Sequence, residues 1–143
     1  MAKDRLPDPD SPFGQAVHQR LAEERLIWLT TVGKDGTPQP NPVWFLHDDG
    51  ELVVYSIASA NRLVHIRQRP RVSLNFNSDT KGNSVVVITG TARLAPDEPP
   101  PDRNPAYVAK YASSMVSVSG TAEEFAQTYN VAMRIDITKV RGF

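Results

Sequence analysis

The sequence predicts a mainly β (α+β) fold, a small six-stranded antiparallel barrel with flanking helices. Three observations carry the prediction. Apolar or alternating runs recur at residues 26–32, 39–47, 52–55, 71–77, 84–94 and 130–138, each of strand length. Turn-forming clusters separate several neighbours, at Gly33-Lys34-Asp35-Gly36-Thr37-Pro38, Asp48-Asp49-Gly50-Glu51 and Ser78-Asp79-Thr80-Lys81-Gly82-Asn83, so those connections read as hairpins. Helical patterns stand between or outside the hairpins and do not alternate with single strands, which argues against a doubly wound parallel sheet. A chain of 143 residues fits one domain. The expected organisation is a flexible, charged and proline-rich arm over residues 1–10 and a single domain over 11–143.

Ser11-Pro12 opens the first helix, expected to reach about residue 24, because a capping side chain is followed by proline at the first helical position. Val17 and Leu21 share a face with Phe13 and Ala16 beside it, so this helix lies on something. His18 reads as a lone surface histidine without a role. In the 39–47 strand, Pro40 and Pro42 cannot donate ladder bonds, which makes it an edge strand or bulged near its start. Backbone left unpaired beside Asn41 and Trp44 is open to a planar ligand; the competing reading makes Trp44 and Phe45 packing residues of the barrel wall. Gly90, inside the 84–94 strand, marks a bulge or a close backbone approach. Pro96 to Pro101 reads as a stiff surface loop. Asn104-Pro105 caps a helix expected to reach about residue 113, and the small, polar 115–120 stretch reads as a candidate mobile lid. Thr121-Ala122-Glu123-Glu124 has capping-box spacing and starts another short helix.

The chemistry concentrates between Tyr55 and Arg71. The strand over 52–55 runs into a polar turn, which opens a helix of about ten residues that Pro70 ends. Ser56, Ser59 and Asn61 stand where the helix begins, where free N–H groups and the positive end of the helix dipole attract anions. Arg62 and Arg69 share one helix face, and Arg67 points away from both. A strand end, a hydroxyl-rich turn and an arginine at a helix start make a phosphate cradle. The plainer alternative is a solvated arginine face with Ser59 as an ordinary N-cap.

Sixteen basic and sixteen acidic side chains cancel, so no overall field draws the chain to nucleic acid or to an anionic membrane. No stretch has the length and apolarity of a membrane span or a signal peptide. The absence of cysteine excludes thiol chemistry and disulfides and is compatible with the cytoplasm. The three histidines have no metal-ligand spacing, and no nucleophile elbow, Walker loop or dinucleotide glycine pattern occurs. A reactive group would then arrive with a cofactor. No catalytic side chain is assigned and no metal is expected.

The run from Trp28 to Phe45, then Val54-Tyr55-Ser56, Arg62, Arg69-Pro70-Arg71-Val72-Ser73-Leu74 and Thr89-Gly90-Thr91-Ala92 resembles the pyridoxamine-phosphate-oxidase-like split-barrel superfamily. More narrowly, it is similar to the actinobacterial flavin/deazaflavin oxidoreductases that use coenzyme F-420. The resemblance implies a six-stranded split barrel, a homodimer with cofactor sites at the subunit interface, and a small organic molecule as hydride acceptor. It places the family's tyrosine and hydroxyl residue on Tyr55 and Ser56. Its phosphate-binding serine, arginine and lysine fall on Ala60, Asn61 and Arg62, of which the first two differ in kind and the third keeps the cation. The ring-binding strand falls on Asn41, Val43 and Trp44. Val85 stands where flavin members often bring a glutamine from the partner, which leaves room for a deazaflavin, with FMN as the alternative cofactor. The chain stops at Phe143 without the C-terminal arginine-and-histidine motif of true pyridoxamine phosphate oxidases, so that activity is not expected.

Overall fold

In the computed structural model, which describes residues 5–143, the strands are β1 (Ile27–Val32), β2 (Pro38–Val43), β3 (Leu46–Asp48), β4 (Glu51–Ser56), β5 (Arg71–Asn75), β6 (Val86–Leu94) and β7 (Val131–Gly142). The helices are α1 (Pro12–Glu23), α2 (Asn61–Gln68), α3 (Pro105–Ser119) and α4 (Ala122–Thr128), with a 3-10 turn at Pro101–Arg103. All strand pairs are antiparallel, in the order β2-β1-β5-β6-β7-β4-β3. The two edge strands of this order, β2 and β3, are separated in sequence only by Trp44 and Phe45. The sheet therefore curls until its edges approach, as a split half-barrel. The strand expected over 39–47 is broken at those two residues, which is why seven strands are found where six were predicted. Pro40 and Pro42 lie on β2, which pairs only with β1, so their missing N–H groups cost no central ladder bond.

Two apolar clusters flank the sheet. The first fills the barrel: Leu29, Phe45, Leu74, Ile88 and Ile135 are almost fully buried, and Val17 and Leu21 of α1 pack on them. The second lies on the other side, where Val53 and Tyr55 of β4 meet Tyr107, Tyr111 and Met115 of α3 and Phe125 of α4. Strand β4 is apolar without alternation because Leu52 and Val54 belong to one cluster and Val53 and Tyr55 to the other.

Ser11 caps α1 by accepting the Gly14 N–H at 2.9 Å, as its sequence predicts. Of the arm expected over 1–10, residues 1–4 lie outside the described residues. Leu6 packs on the barrel core, and the Pro7 carbonyl lies 3.1 Å from Nε2 of His18. The predicted bulge is present, with a register shift between Thr89 and Gly90. A Cβ on Gly90 would come within 2.7 Å of the Asp136 carbonyl oxygen, so the close approach is real as well.

The last strand runs on to Gly142 where 130–138 was expected, and two helix boundaries also differ. Helix α3 continues to Ser119, so the 115–120 stretch forms its last turn and C-cap: Met115 is fully buried, and the helix ends at Gly120 with φ +92°. No breaker precedes that glycine, and burial of Met115 outweighs the modest helix propensity of serine and valine. At the start of α2 the cap residue is Ala60, so Ser59 does not take the N-cap role.

Candidate active site

The site is organised by the interruption between β2 and β3. At the break the Phe45 N–H donates to the Tyr111 hydroxyl at 3.0 Å. That hydroxyl has one proton to give, shared between the Arg25 carbonyl at 2.8 Å and the Phe45 carbonyl at 2.9 Å. Nζ of Lys110 also donates to the Phe45 carbonyl at 3.0 Å and sits 3.8 Å from the Phe45 ring centroid. A backbone that has left the sheet is thus satisfied by side chains of α3. Desolvation pushes the Lys110 ammonium down to about 8 and the Tyr111 phenol up to about 12.

Trp44, beside this break, lies parallel to Tyr111 at 4.9 Å and to Phe125 at 5.2 Å. The ring contacts continue from Phe125 to Tyr129 at 4.4 Å, from Tyr111 to Tyr107 at 4.7 Å, and from Tyr107 to Tyr55 at 4.8 Å. This series walls a cleft of about 410 Å³ lined by Trp44, Tyr55, Tyr107, Phe125 and Tyr129, together with Val43. Its rim is apolar and open: Leu26, Ile57 and Val118 are 49%, 37% and 55% exposed. Trp44 therefore packs against Tyr111 and Phe125 and also forms part of the cleft wall. Tyr55 is committed within the structure: its hydroxyl donates to the Pro99 carbonyl at 2.6 Å and accepts from Nδ2 of Asn104 at 3.1 Å. Burial raises its pKa.

A second pocket of about 360 Å³ adjoins the first and is polar, lined by Thr31, Gln39, Asn41, Asn61 and His65. Ala60 and Arg62 line both. Helix α2 opens there without a side-chain cap, which leaves first-turn N–H groups for a ligand or water. Arg62 is half-buried in this position. Its one hydrogen bond among the described residues is a long one, from Nη1 to the Oγ of Ser56 at 3.5 Å, and it has no carboxylate partner. Burial lowers the guanidinium pKa, partly offset by the phenol of Tyr129. By contrast Arg134 is ion-paired to Asp48, Glu51 and Glu98, and Arg93 to Glu51 and Asp136. Arg62 is a partly desolvated cation with no counter-charge among the described residues, between an apolar cleft and a polar one. That is the electrostatic form of an anion site.

Of the residues singled out by sequence, Val43, Trp44 and Tyr55 line the apolar cleft, Asn41 and Asn61 the polar pocket, and Ala60 and Arg62 both. Ser56 is fully buried and reaches the site only through Arg62. Ser59 is exposed and lines neither pocket. Sequence reasoning missed Tyr107, Phe125 and Tyr129, which complete the aromatic wall, and Gln39 and His65 in the polar pocket. The four-residue spacing of Tyr107 with Tyr111 and of Phe125 with Tyr129 was the available signal, since such pairs share a helix face. Among the described residues no group of three or more histidines and carboxylates could hold a metal ion, and no helix is long and apolar enough to cross a membrane.

Comparison with known proteins agrees with this architecture. A curated pyridoxine/pyridoxamine 5'-phosphate oxidase of Edwardsiella ictaluri is 34% identical over 79 residues, which are 54% of this chain and 36% of the relative, so the match spans about a third of that protein's length. Solved structures share the fold. A putative pyridoxamine 5'-phosphate oxidase from Listeria innocua has a TM-score of 0.64 at 22% identity, covering 89% of this chain and 94% of its own. The haem storage protein HutZ from Vibrio cholerae has a TM-score of 0.63 at 14% identity, covering 96% and 94%. An F-420 reductase has a TM-score of 0.60 at 18% identity, covering 87% and 94%. The pyridoxamine 5'-phosphate oxidase family model matches residues 13–143. The chain belongs to the pyridoxamine 5'-phosphate oxidase family.

Proposed function

We propose that the chain is an oxidoreductase that binds coenzyme F-420, with FMN as the alternative cofactor, and serves reduction of a small organic acceptor. The observation that carries this reading is Arg62, a half-buried guanidinium without an acidic partner among the described residues, at the junction of the two pockets. In this reading Arg62 holds the cofactor phosphate with the N–H groups that open α2 and with Asn61 beside it. Asn41, Val43 and Trp44 flank the planar ring system, and Tyr107, Phe125 and Tyr129 close the apolar side. The donor set fits both halves of such a ligand: a cation and amides for the phosphate, aromatic rings for the ring system. Bound there, a deazaflavin supplies a hydride to an acceptor seated against it. The chain's own part is to orient the two reactants and keep water from them, which needs no nucleophilic side chain.

The apolar rim of Leu26, Ile57 and Val118 supports a second copy of this chain as cover for the cleft, a homodimer with two cofactor sites at the interface. The cysteine-free composition suits the reducing cytoplasm as its place of work. Titration of the purified protein with F-420 and, separately, with FMN, followed by fluorescence quenching, tests the reading. Saturable binding of F-420 with weak FMN binding is the expected result. Preference for FMN assigns the flavin alternative, and binding of neither leaves Arg62 as a structural residue and overturns the proposal.

A further inference from the structure

We propose that the Tyr107 hydroxyl is a hydrogen-bond donor kept for a ligand, so that the apolar cleft takes a flat conjugated molecule with an uncharged carbonyl oxygen against this phenol. It rests on the function proposed above only in making that molecule a cofactor ring or its acceptor. Tyr107 is 1% exposed and packs with β4 and the second apolar cluster. Its ring is held between two others, edge-on to Tyr55 at 4.8 Å and tilted against Tyr111 at 4.7 Å. Its backbone N–H donates to the Asn104 cap. Its hydroxyl has no hydrogen-bond partner among the described residues. An oxygen sealed in such a place would be a buried polar atom left unsatisfied, and among the described residues there is none. The oxygen therefore meets open space, and Tyr107 lines the apolar cleft.

Neighbouring phenols do not take up the proton. The Tyr55 hydroxyl is occupied by the Pro99 carbonyl and Nδ2 of Asn104, and that of Tyr111 by the backbone at the break and at Arg25. Tyr129 also lacks a hydrogen-bond partner among the described residues, but it is only half-buried, so water can serve it. Burial, with the phenols of Tyr111, Tyr55 and Tyr129 around it, pushes the Tyr107 pKa far up. The group stays protonated near neutral pH and offers a donor without a charge. An unpaired donor in an apolar wall is a cost that a ligand's oxygen removes.

The rest of the lining decides what carries that oxygen. Trp44 and Phe125 present flat faces, and Val43, Ile57 and Val118 are aliphatic. Among the described residues of the lining Arg62 alone is charged, and it stands at the junction with the polar pocket. A carboxylate brought to Tyr107 would give up its hydration for one neutral donor. A carbonyl gives up far less and gains the same hydrogen bond.

Tyr107→Phe removes the oxygen and leaves the ring. The probes are 2-acetylnaphthalene and 2-ethylnaphthalene, alike in shape and different in the carbonyl. Both are titrated into the whole chain, wild type and variant, and the indole N–H signals are followed by NMR. Trp44 lines the cleft; Trp28 does not, and its Nε1 donates to Asn77. The ketone is expected to move the Trp44 signal and to bind about three- to tenfold more weakly to Tyr107→Phe, with the hydrocarbon unchanged within about twofold. Riboflavin, which has ring carbonyls and no phosphate, separates the two sources of the oxygen. A matching loss of riboflavin affinity assigns the cofactor ring, and an unchanged one with the ketone weakened assigns the acceptor. The proposal is overturned if neither ketone nor riboflavin weakens, if the hydrocarbon weakens as much as the ketone, or if no probe moves Trp44. The urea midpoint of Tyr107→Phe should equal that of wild type; a clear drop gives the hydroxyl a structural role and overturns the proposal too. None of these probes carries a phosphate, so failure at Tyr107 leaves the role of Arg62 to be decided by FMN.

Discussion

Replacing Tyr111 by phenylalanine removes one oxygen and tests whether the break between β2 and β3 is held from α3. The hydroxyl accepts the Phe45 N–H at 3.0 Å in a residue that is fully buried, and it donates to one of two carbonyls. The Phe45 carbonyl keeps a partner in the variant, because Nζ of Lys110 lies 3.0 Å away. The Phe45 amide keeps none. The cost is therefore that of one buried, unsatisfied N–H, about 1–3 kcal/mol, plus little for the carbonyl of Arg25 at the edge of the site. For a chain of this size that lowers Tm by about 3–10 °C. Urea denaturation at neutral pH gives the difference directly, with the slope m unchanged if only the native contact is lost. The ring stack is untouched by the change, so a loss below about 0.5 kcal/mol refutes the assignment of the hydroxyl as the clasp of the break.

Three further outcomes are expected. Gly90→Ala places a Cβ within 2.7 Å of the Asp136 carbonyl oxygen and should destabilise by about 1–3 kcal/mol in the same urea assay; a neutral result shows that the β6–β7 bulge tolerates a side chain. Because the Lys110 ammonium is pushed from 10.5 down to about 8, the unfolded chain binds more protons than the native one between those values. Stability should rise with pH there, a rise that Lys110→Met abolishes. Above about pH 10 the sign reverses, since burial raises the phenols of Tyr107 and Tyr111 and the unfolded chain loses those protons first. Melts at pH 7.5, 9 and 10.5 separate the two, and an unchanged slope in Lys110→Met contradicts the assignment. Finally, sedimentation should give twice the 15.8 kDa chain mass, with Val118→Glu shifting it toward the single chain; a monomer at every concentration leaves the apolar rim without the second copy proposed for it.

The fold was legible because strand periodicity, turn residues and caps agree locally. Ser11, Asn104 and Thr121 cap the helices their positions predict, and Gly90 sits at the bulge. What escaped was set by tertiary packing. The break at Trp44 and Phe45 has no local signal, since both residues suit a strand; it exists because Tyr111, far along the chain, supplies the missing hydrogen bonds. The last turn of α3 looks like a loop until Met115 is seen buried against the second cluster. Half of the site was readable from the strand-to-helix turn at Tyr55 to Arg62. The other half, Tyr107, Phe125 and Tyr129, lies on helices whose aromatic spacing fits ordinary packing equally well.

The most direct measurement compares wild type and Arg62→Ala in their affinity for FMN and for riboflavin, which lacks the phosphate. If Arg62 is the phosphate ligand, the variant loses about 1–3 kcal/mol of FMN affinity, roughly five- to 150-fold, and keeps riboflavin affinity within about threefold. Equal losses for both ligands, or none for either, contradict a phosphate bound at Arg62.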